Sequence, residues 1–364
     1  MSTFADRAER LTDLVAEREL DLLVVSNLTN VRYLTGYSGS NGIAVLGRDV
    51  RVFGTDFRYY ERVKPQITDY DVRRATADIL EIPAKVVEER RHGGGQLRVG
   101  FDDAHLTVRA HRRLSELVGD AAELVASGGL VEGLRAVKDA DEVKRMREAA
   151  ALAAEAYTWL VTEHGLTGHT ERSVMGELER RATELGAEDV SFPPIVAAAE
   201  NGALPHAEPR DVEIPRDTLV VVDLGFRVDG YCSDCTRTYA TGDLDEEAAS
   251  VYRLVQEAQG AAVEAVRAGA GRRALDGVAR KIIDDGGHGE EFGHGLGHGV
   301  GLEVHEEPRI TPRADGELVA GNAVTVEPGV YVPGRFGVRI EDLVIVTDDG
   351  CDVLTPTAKE LTVV

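Results

Sequence analysis

Three stretches of the chain concentrate side chains that can hold cations or move protons: GYCSDCTRT (230–238), EFGHGLGHGVGLEVHEEP (291–308), and the pair TVEPGVY (325–331) and GVRIED (337–342). The first contains a Cys-x-x-Cys pair, Cys232 and Cys235, a spacing found in redox pairs and in half zinc sites. Asp234 lies between them. The surrounding LVVVDLGFRVDGYCSDCTRTYA (219–240) reads as a long β-hairpin. With a two-residue turn at Val228–Asp229, Asp223 lies directly opposite Asp234. With the turn at Asp229–Gly230 the two are diagonal but still share a face, whereas a three-residue loop would separate them. Two facing carboxylates repel unless a cation sits between them; otherwise they are unrelated surface aspartates. The cysteines are three positions apart, so strand alternation sends them to opposite faces, Cys232 with the aspartates and Cys235 away. They cannot share a metal or readily close a disulfide, and read as packing residues.

The second stretch holds His294, His298 and His305 among five alternating glycines. The His294–His298 spacing resembles a helical zinc pair, but glycines at about 1 kcal/mol each argue against a helix. The glycine pattern also fits neither a phosphate loop nor a dinucleotide fingerprint. An extended ribbon presenting histidines to a pocket fits better, with glycine letting the backbone pass close to a substrate or metal. In the third stretch, Val324 and Val326 face one way and Thr325 and Glu327 the other. Likewise Val338 and Ile340 alternate with Arg339 and Glu341, which could form a simple ion pair. A glutamate among core valines needs a partner. Four carboxylates with a minority of imidazole suit manganese, iron(II) or cobalt more than structural zinc. Two metals sharing carboxylates form a water-activating centre for hydrolysis.

These residues must be positioned by regular elements. Residues 3–20 show helical apolar spacing, and strands are expected at 21–26, 43–47, 51–55 and 96–102, with loops at 27–42 and 90–96 and a helix at 105–118. The glycine-bearing stretch 125–142 reads as a domain boundary. Beyond it, Asp139 with Glu142 predicts a capping box opening a helix that ends near Gly165, and Thr170 predicts the cap of a helix over 171–185. A strand is expected at 191–199, helices at 245–268 and 272–285, and strands at 322–332 and 337–347. The 364 residues carry 64 acidic against 41 basic side chains, a net charge of −23, which disfavours nucleic acid and anionic lipid as partners. No apolar leader segment or membrane-length apolar run is evident, and three cysteines fit a reducing cytoplasm.

Taken together, VVDLG, YCSDCTRT, GHGLGHGVGLEVHE, TVEPGVY and GVRIED, in that order, resemble the creatinase/prolidase/aminopeptidase P family. FPPIVAAAENGALPHAEP (192–209) and NVRYLTGYSGSNG (30–42) extend the resemblance over nearly the whole chain. The implied fold is an α/β creatinase-like N-terminal domain, residues 1–128, followed by an α+β pita-bread metallopeptidase domain, residues 129–364, with a curved, mainly antiparallel sheet. The resemblance implies two divalent metal ions, Mn²⁺ or Co²⁺ with Fe²⁺ or Zn²⁺ as further candidates. Asp223 would bind one ion, His298 and Glu327 the other, and Asp234 and Glu341 would bridge them. A hydroxide between the ions would attack the scissile carbonyl, with Glu327 as proton acceptor. His206 and His305 would hydrogen-bond the substrate and stabilise the oxyanion. His294 would line the proline side of the pocket. Arg339, counted with the substrate-binding residues, would orient Glu341 or its neighbours, and Thr236 would do the same for Asp234. The implied reaction is hydrolysis of Xaa-Pro bonds in dipeptides or at peptide N-termini, by a cytoplasmic homodimer acting on short proline-containing peptides. Rival readings are a proline-independent dipeptidase, a creatinase-like amidinohydrolase, and a non-catalytic peptide-binding relative. Retention of all five ligand positions disfavours the last two.

Overall fold

The computed structural model describes residues 3–91 and 95–364, so the loop expected over 90–96 lies in part outside the described residues. The chain forms two compact units, Met1–Arg135 and Ala136–Val364.

The first unit is built on a six-stranded mixed sheet in the order Asp71–Arg74, Val50–Thr55, Gly42–Gly47, Leu22–Val25, Leu97–Phe101, Ala122–Ala126. Leu22–Val25 is buried along its whole length, as an unbroken apolar run in a central strand must be. The segment 27–42, expected as a loop, instead carries the helix Leu28–Thr35. Asn27 caps it by accepting from Thr29 N at 2.9 Å, and Gly36 ends it in the left-handed region at φ 74°. Both are ordinary start and stop signals that the later glycines of the segment obscured. The division between units falls after Arg135 rather than at residue 128. Helix Leu130–Arg135 belongs to the first unit because Leu130, Val131 and Leu134 are buried and Arg135 donates to Asn30 Oδ1 at 2.8 Å.

In the second unit every strand pairing within the sheets is antiparallel. Helix Ala140–Trp159 opens with the expected Asp139–Glu142 capping box, and helix Glu171–Leu185 with a box of Thr170 and Ser173. Helices Glu246–Ala265 and Arg272–Asp285 pack their apolar faces on the sheet strands through Val255, Ala262, Leu275 and Ala279. Val324, Val326, Val338 and Ile340 are fully buried in that same core. At roughly 1.5–3 kcal/mol for burial of each such side chain, they hold the opposite strand faces in place.

The long strands expected over 322–332 and 337–347 are each broken once. The first divides into Ala323–Val326 and Gly329–Val332 around Glu327, the second into Phe336–Arg339 and Asp342–Val346 around Glu341. The hairpin is interrupted in the same way, Leu219–Leu224 and Phe226–Val228 returning as Tyr231–Cys232 and Cys235–Ala240. The expected strand 191–199 is reduced to Ile195–Ala198, and a separate short strand, Asp189–Val190, precedes it. The strands therefore change sheets close to Glu327, Glu341 and Asp234. Leaving the ladder at these points bends the backbone and curves the sheet system around them.

Candidate metal centre

The hairpin register decides how the two aspartates meet. Arg227 pairs with Cys232, Val228 with Tyr231, and Asp223 with Thr236. The turn is thus Asp229–Gly230, with φ of 47° and 83°. Both central residues need positive φ in a type I′ turn, which Asp-Gly supplies. Asp223 and Asp234 are consequently diagonal, the second of the two registers that keep them on one face. The cysteines separate as alternation requires. Cys232 packs with Met146, Ala150 and Val300, Cys235 with Tyr157 and Val222, in different core clusters. All three cysteines are unpaired.

His298 lies at the centre of strand Gly297–Gly299. A Cβ at residue 297 would fall 2.0 Å from the Thr325 carbonyl oxygen, and one at 299 would fall 2.2 Å from that of Glu307. Glycine on both sides therefore lets the His298 backbone thread between its neighbours. With a proton on Nδ1, His298 donates to the Gly299 carbonyl at 3.0 Å, leaving Nε2 aimed at the site. Nε2 stands 3.2 Å from Glu327 Oε1 and 3.7 Å from Asp234 Oδ2. Ligand atoms of Asp234, His298 and Glu341 all lie within 4.8 Å of one another, and all three residues are buried.

The electrostatics of this cluster are unbalanced. Burial drives the Asp234 carboxyl well above the ordinary aspartate range, and the charges of Glu341, Asp223 and Glu327 add to it. Burial does the same to Glu341, with Glu327 and Asp223 adding to the effect. Asp223 is also raised by burial, though Arg339 opposes the rise. Its Oδ1 is buried and makes no hydrogen bond. Glu327 is the exception. Burial pushes it up, but the hydrogen bond with His298 and the influence of His298, His294 and Arg339 outweigh that and hold it at about 2. The donor set, four carboxylates and one imidazole with an orphaned buried oxygen among them, fits a divalent cation of oxygen preference.

A cavity of about 460 Å³ opens onto these groups, and His206, Asp223, Asp234, His294, His298, His305, Glu327, Arg339 and Glu341 line it, whereas Thr236 does not. His305 packs edge-on against His298, and burial, with the His298 and Arg309 charges, lowers it to about 4. His294 is also lowered by burial, and its Nε2 lies 3.0 Å from the Tyr331 hydroxyl.

Arg339 reaches the neighbours of Glu341 rather than Glu341 itself, and Thr236 departs from its expected partner. Arg339 makes its ion pair with Asp223, Nη2 to Oδ2 at 2.8 Å, rather than with Glu341. It also donates to Thr236 Oγ1 at 2.9 Å, to Tyr331 at 2.9 Å and to the Pro205 carbonyl at 3.1 Å. Thr236 in turn donates to Glu341 Oε2 at 2.8 Å, not to Asp234. The reason is the diagonal register: Thr236 stands beside Asp223, under the strand break that carries Glu341.

Among the cavity residues that sequence reasoning passed over are Tyr331 and Arg309. Tyr331 shares strand parity with Glu327, so alternation could have found it. Arg309, on the exposed face of strand Glu306–Ile310, carries no such signal.

A mixed α/β chain whose curved antiparallel sheets converge on buried carboxylates and an imidazole has the architecture of a metallohydrolase. Residues 144–348 match metallopeptidase family M24, and residues 7–137 match the creatinase/prolidase N-terminal domain. The chain belongs to this creatinase/prolidase branch of the M24 metallopeptidases and has the pita-bread fold. It is 37% identical to an uncharacterized peptidase, YqhT, of Bacillus subtilis (strain 168), over 98% of this chain and 99% of that one. Among solved structures, an Xaa-Pro dipeptidase from Bacillus anthracis superposes with a TM-score of 0.94 at 36% identity, covering 99% of this chain and 100% of that one. An X-Pro aminopeptidase from Thermotoga maritima superposes with a TM-score of 0.88 at 33% identity, over 99% and 100%. No helix among the described residues is long and apolar enough to cross a membrane.

Proposed function

We propose that this metallopeptidase hydrolyses Xaa-Pro bonds using two divalent cations, Mn²⁺ or Co²⁺, held by Asp223, Asp234, His298, Glu327 and Glu341. The observation that carries the reading is the surplus of buried negative charge. Asp234 and Glu341 stand within reach of His298 and, among the described residues, neither pairs with a lysine or arginine, while Asp223 Oδ1 accepts no hydrogen bond from them. When bound, the cations would supply Lewis acidity and lower the pKa of a water in the site.

The chain's own residues divide the remaining work. Glu327, ionised and at the cavity wall, is the acceptor for the proton released from water and passes it to the leaving amine. His206 and His305 hydrogen-bond the substrate and the developing oxyanion. Neutral above a pH of about 4, His305 can donate a hydrogen bond without carrying charge. Phe192, Pro193, Ile195 and Val304 give the cavity an apolar wall, with His294 and Tyr331 beside it. Such a wall suits a proline ring. The bond to proline is a tertiary amide without an N–H, so a site that reads the ring can act where one that grips the N–H fails.

The two solved relatives above are described as a dipeptidase and an aminopeptidase. We favour the dipeptidase. Arg339 is committed to Asp223, whereas Arg309 lines the same cavity with no carboxylate paired to its side chain among the described residues. It supplies a cation for a free C-terminal carboxylate. The unpaired cysteines support a reducing cytoplasm. A homodimer rests on the family resemblance and is checked by sedimentation.

The test is reconstitution with Mn²⁺ or Co²⁺ at low and high salt, followed by comparison of Xaa-Pro, Xaa-Ala and Xaa-Pro-Xaa-Xaa peptides. Xaa-Pro is expected to be cleaved fastest, and chelation to stop the reaction. Failure to cleave any Xaa-Pro bond with either metal overturns the proposal. Arg309→Gln should raise KM for Xaa-Pro and leave the longer peptide little changed; equal effects on both would remove the dipeptidase assignment.

A further inference from the structure

His206 reaches the cavity from an irregular segment rather than from a strand. After Ile195–Ala198 the chain turns at Ala199, whose φ of 49° is unusual for alanine, and forms a short 3₁₀ turn over Ala199–Ala203. His206 follows shortly after. Such a segment holds one shape only if its backbone groups are tied down from outside.

The tie comes from Glu171, the first residue of helix Glu171–Leu185, which is 1% exposed. Its Oε1 accepts from Ala198 N at 2.8 Å and from Arg210 Nη2 at 3.2 Å. Its Oε2 accepts from Asn201 Nδ2 at 2.9 Å, from Arg210 N at 2.8 Å and from Arg210 Nε at 3.2 Å. One buried carboxylate therefore grips the segment at its start, its middle and its end. Asn201 adds a bond to the Glu208 carbonyl at 3.2 Å. On the other side, Gly202 is pressed against Gly337, where a Cβ would fall 1.9 Å from the Gly202 carbonyl oxygen. Arg339 holds the Pro205 carbonyl at 3.1 Å, immediately before His206.

We propose that Glu171 is a positioning residue for the reaction: by clamping residues 198–210 it sets where the His206 imidazole stands over the metal centre. Glu171 does not line the cavity and acts only through this segment. The inference rests on the Xaa-Pro hydrolysis proposed above for the value of placing His206, but the clamp itself can be tested without it. Glu171→Gln keeps the size of the side chain yet replaces one acceptor oxygen with a donor. Donors from Asn201 and Arg210 then face an NH₂ group, and the clamp opens on that side.

The experiment uses the Mn²⁺-loaded full chain. Glu171→Gln, His206→Ala and the double variant are compared in steady-state cleavage of an Xaa-Pro dipeptide and in amide hydrogen exchange. Expected for Glu171→Gln are a kcat lower by about 10²-fold with KM changed far less, the size of loss that a misplacement of about 1 Å can produce. Mn²⁺ binding should be unchanged, and exchange should be faster over 198–206 but not over the strands bearing the ligands. In the His206→Ala background the same substitution should change kcat by less than about 2-fold, because the two residues act as one unit. Equal loss in both backgrounds, or exchange over 198–206 that stays at the wild-type rate, overturns the proposal. If the wild type cleaves no Xaa-Pro bond, the functional reading falls while the exchange result still decides the clamp. Should Glu171→Gln not fold, Asn201→Ala removes the amide's bonds to Glu171 and to the Glu208 carbonyl while leaving the other Glu171 bonds, and is expected to give the same pattern at smaller amplitude.

Discussion

Glu341 and Asp342 are adjacent, almost fully buried carboxylates, and their surroundings are opposite. Asp342 is completely neutralised by the protein. Its Oδ1 accepts from Arg237 Nη2 at 2.8 Å and Thr355 Oγ1 at 3.1 Å, and its Oδ2 from Lys359 Nζ at 2.8 Å and Gln259 Nε2 at 2.9 Å. Burial pushes its carboxyl up, but Arg237 and Lys359 outweigh that and hold it below the ordinary range. Glu341, on the other face, has the Thr236 hydroxyl, and the charges of Glu327 and Asp223 on it outweigh that of Arg339. The same alternation separates Thr236 from Arg237 on the crossing strand. Two neighbouring residue pairs thus build two charge clusters, one closed and structural, the other left open for a cation from outside. Buried charge alone does not mark a functional site; a buried charge the protein has declined to neutralise does.

The largest effect expected is from Asp234→Asn. Mn²⁺ binding by calorimetry and peptidase activity should both be lost, beyond the roughly 10–100-fold cost of removing an outer partner of a ligand. The metal-free variant should nevertheless be more stable than metal-free wild type at pH 7, by on the order of 1–2 kcal/mol, because a repelling buried charge has gone. The direction follows from linkage. The folded-state pKa of Asp234 is raised, so its contribution is fully present below the unfolded value and is lost as pH rises towards the folded one. The advantage of the variant should therefore grow from about pH 4 upwards.

Next is Asp342→Ala, which leaves Arg237 buried without its carboxylate. A loss of about 3–5 kcal/mol in urea unfolding is expected. The sign of its pH dependence is reversed. The folded pKa of Asp342 is lowered, so its stabilisation is present above the unfolded value and disappears as pH falls through the folded one. The gap between wild type and variant should be widest near neutrality and close in acid. Equal pH profiles for the two variants would dissolve the contrast between the clusters.

Arg339→Lys probes the arginine that reaches into the open cluster. A lysine cannot span Asp223, Thr236, Tyr331 and Pro205 together, so kcat should fall by about 10–100-fold while Mn²⁺ still binds. The smallest effect on catalysis is expected from the double change Cys232→Ser, Cys235→Ser. Activity should stay within about 2-fold of wild type, with a stability loss of about 1–3 kcal/mol for burying hydroxyls. An inactive cysteine variant with its metal content intact would return the chemistry to the Cys-x-x-Cys pair.

Alternation along each strand was legible in the sequence, and it determined a good deal. It split Cys232 from Cys235 and set Thr325 and Glu327 against Val324 and Val326, and it left Asp223 and Asp234 on one face only if the hairpin turn had two residues, which the observed register supplies. The capping pairs at Asp139 and Thr170 placed two helices by equally local rules. What the tertiary structure alone decided is which charge meets which. Arg339 chose Asp223 over Glu341, Thr236 chose Glu341 over Asp234, and Glu171 reached across to residues 198–210. Parity depends on residues two apart in one strand, whereas each of these pairings depends on where strands and helices distant in the chain bend and cross. That geometry is set by the packing of the core and is not contained in any single stretch of residues.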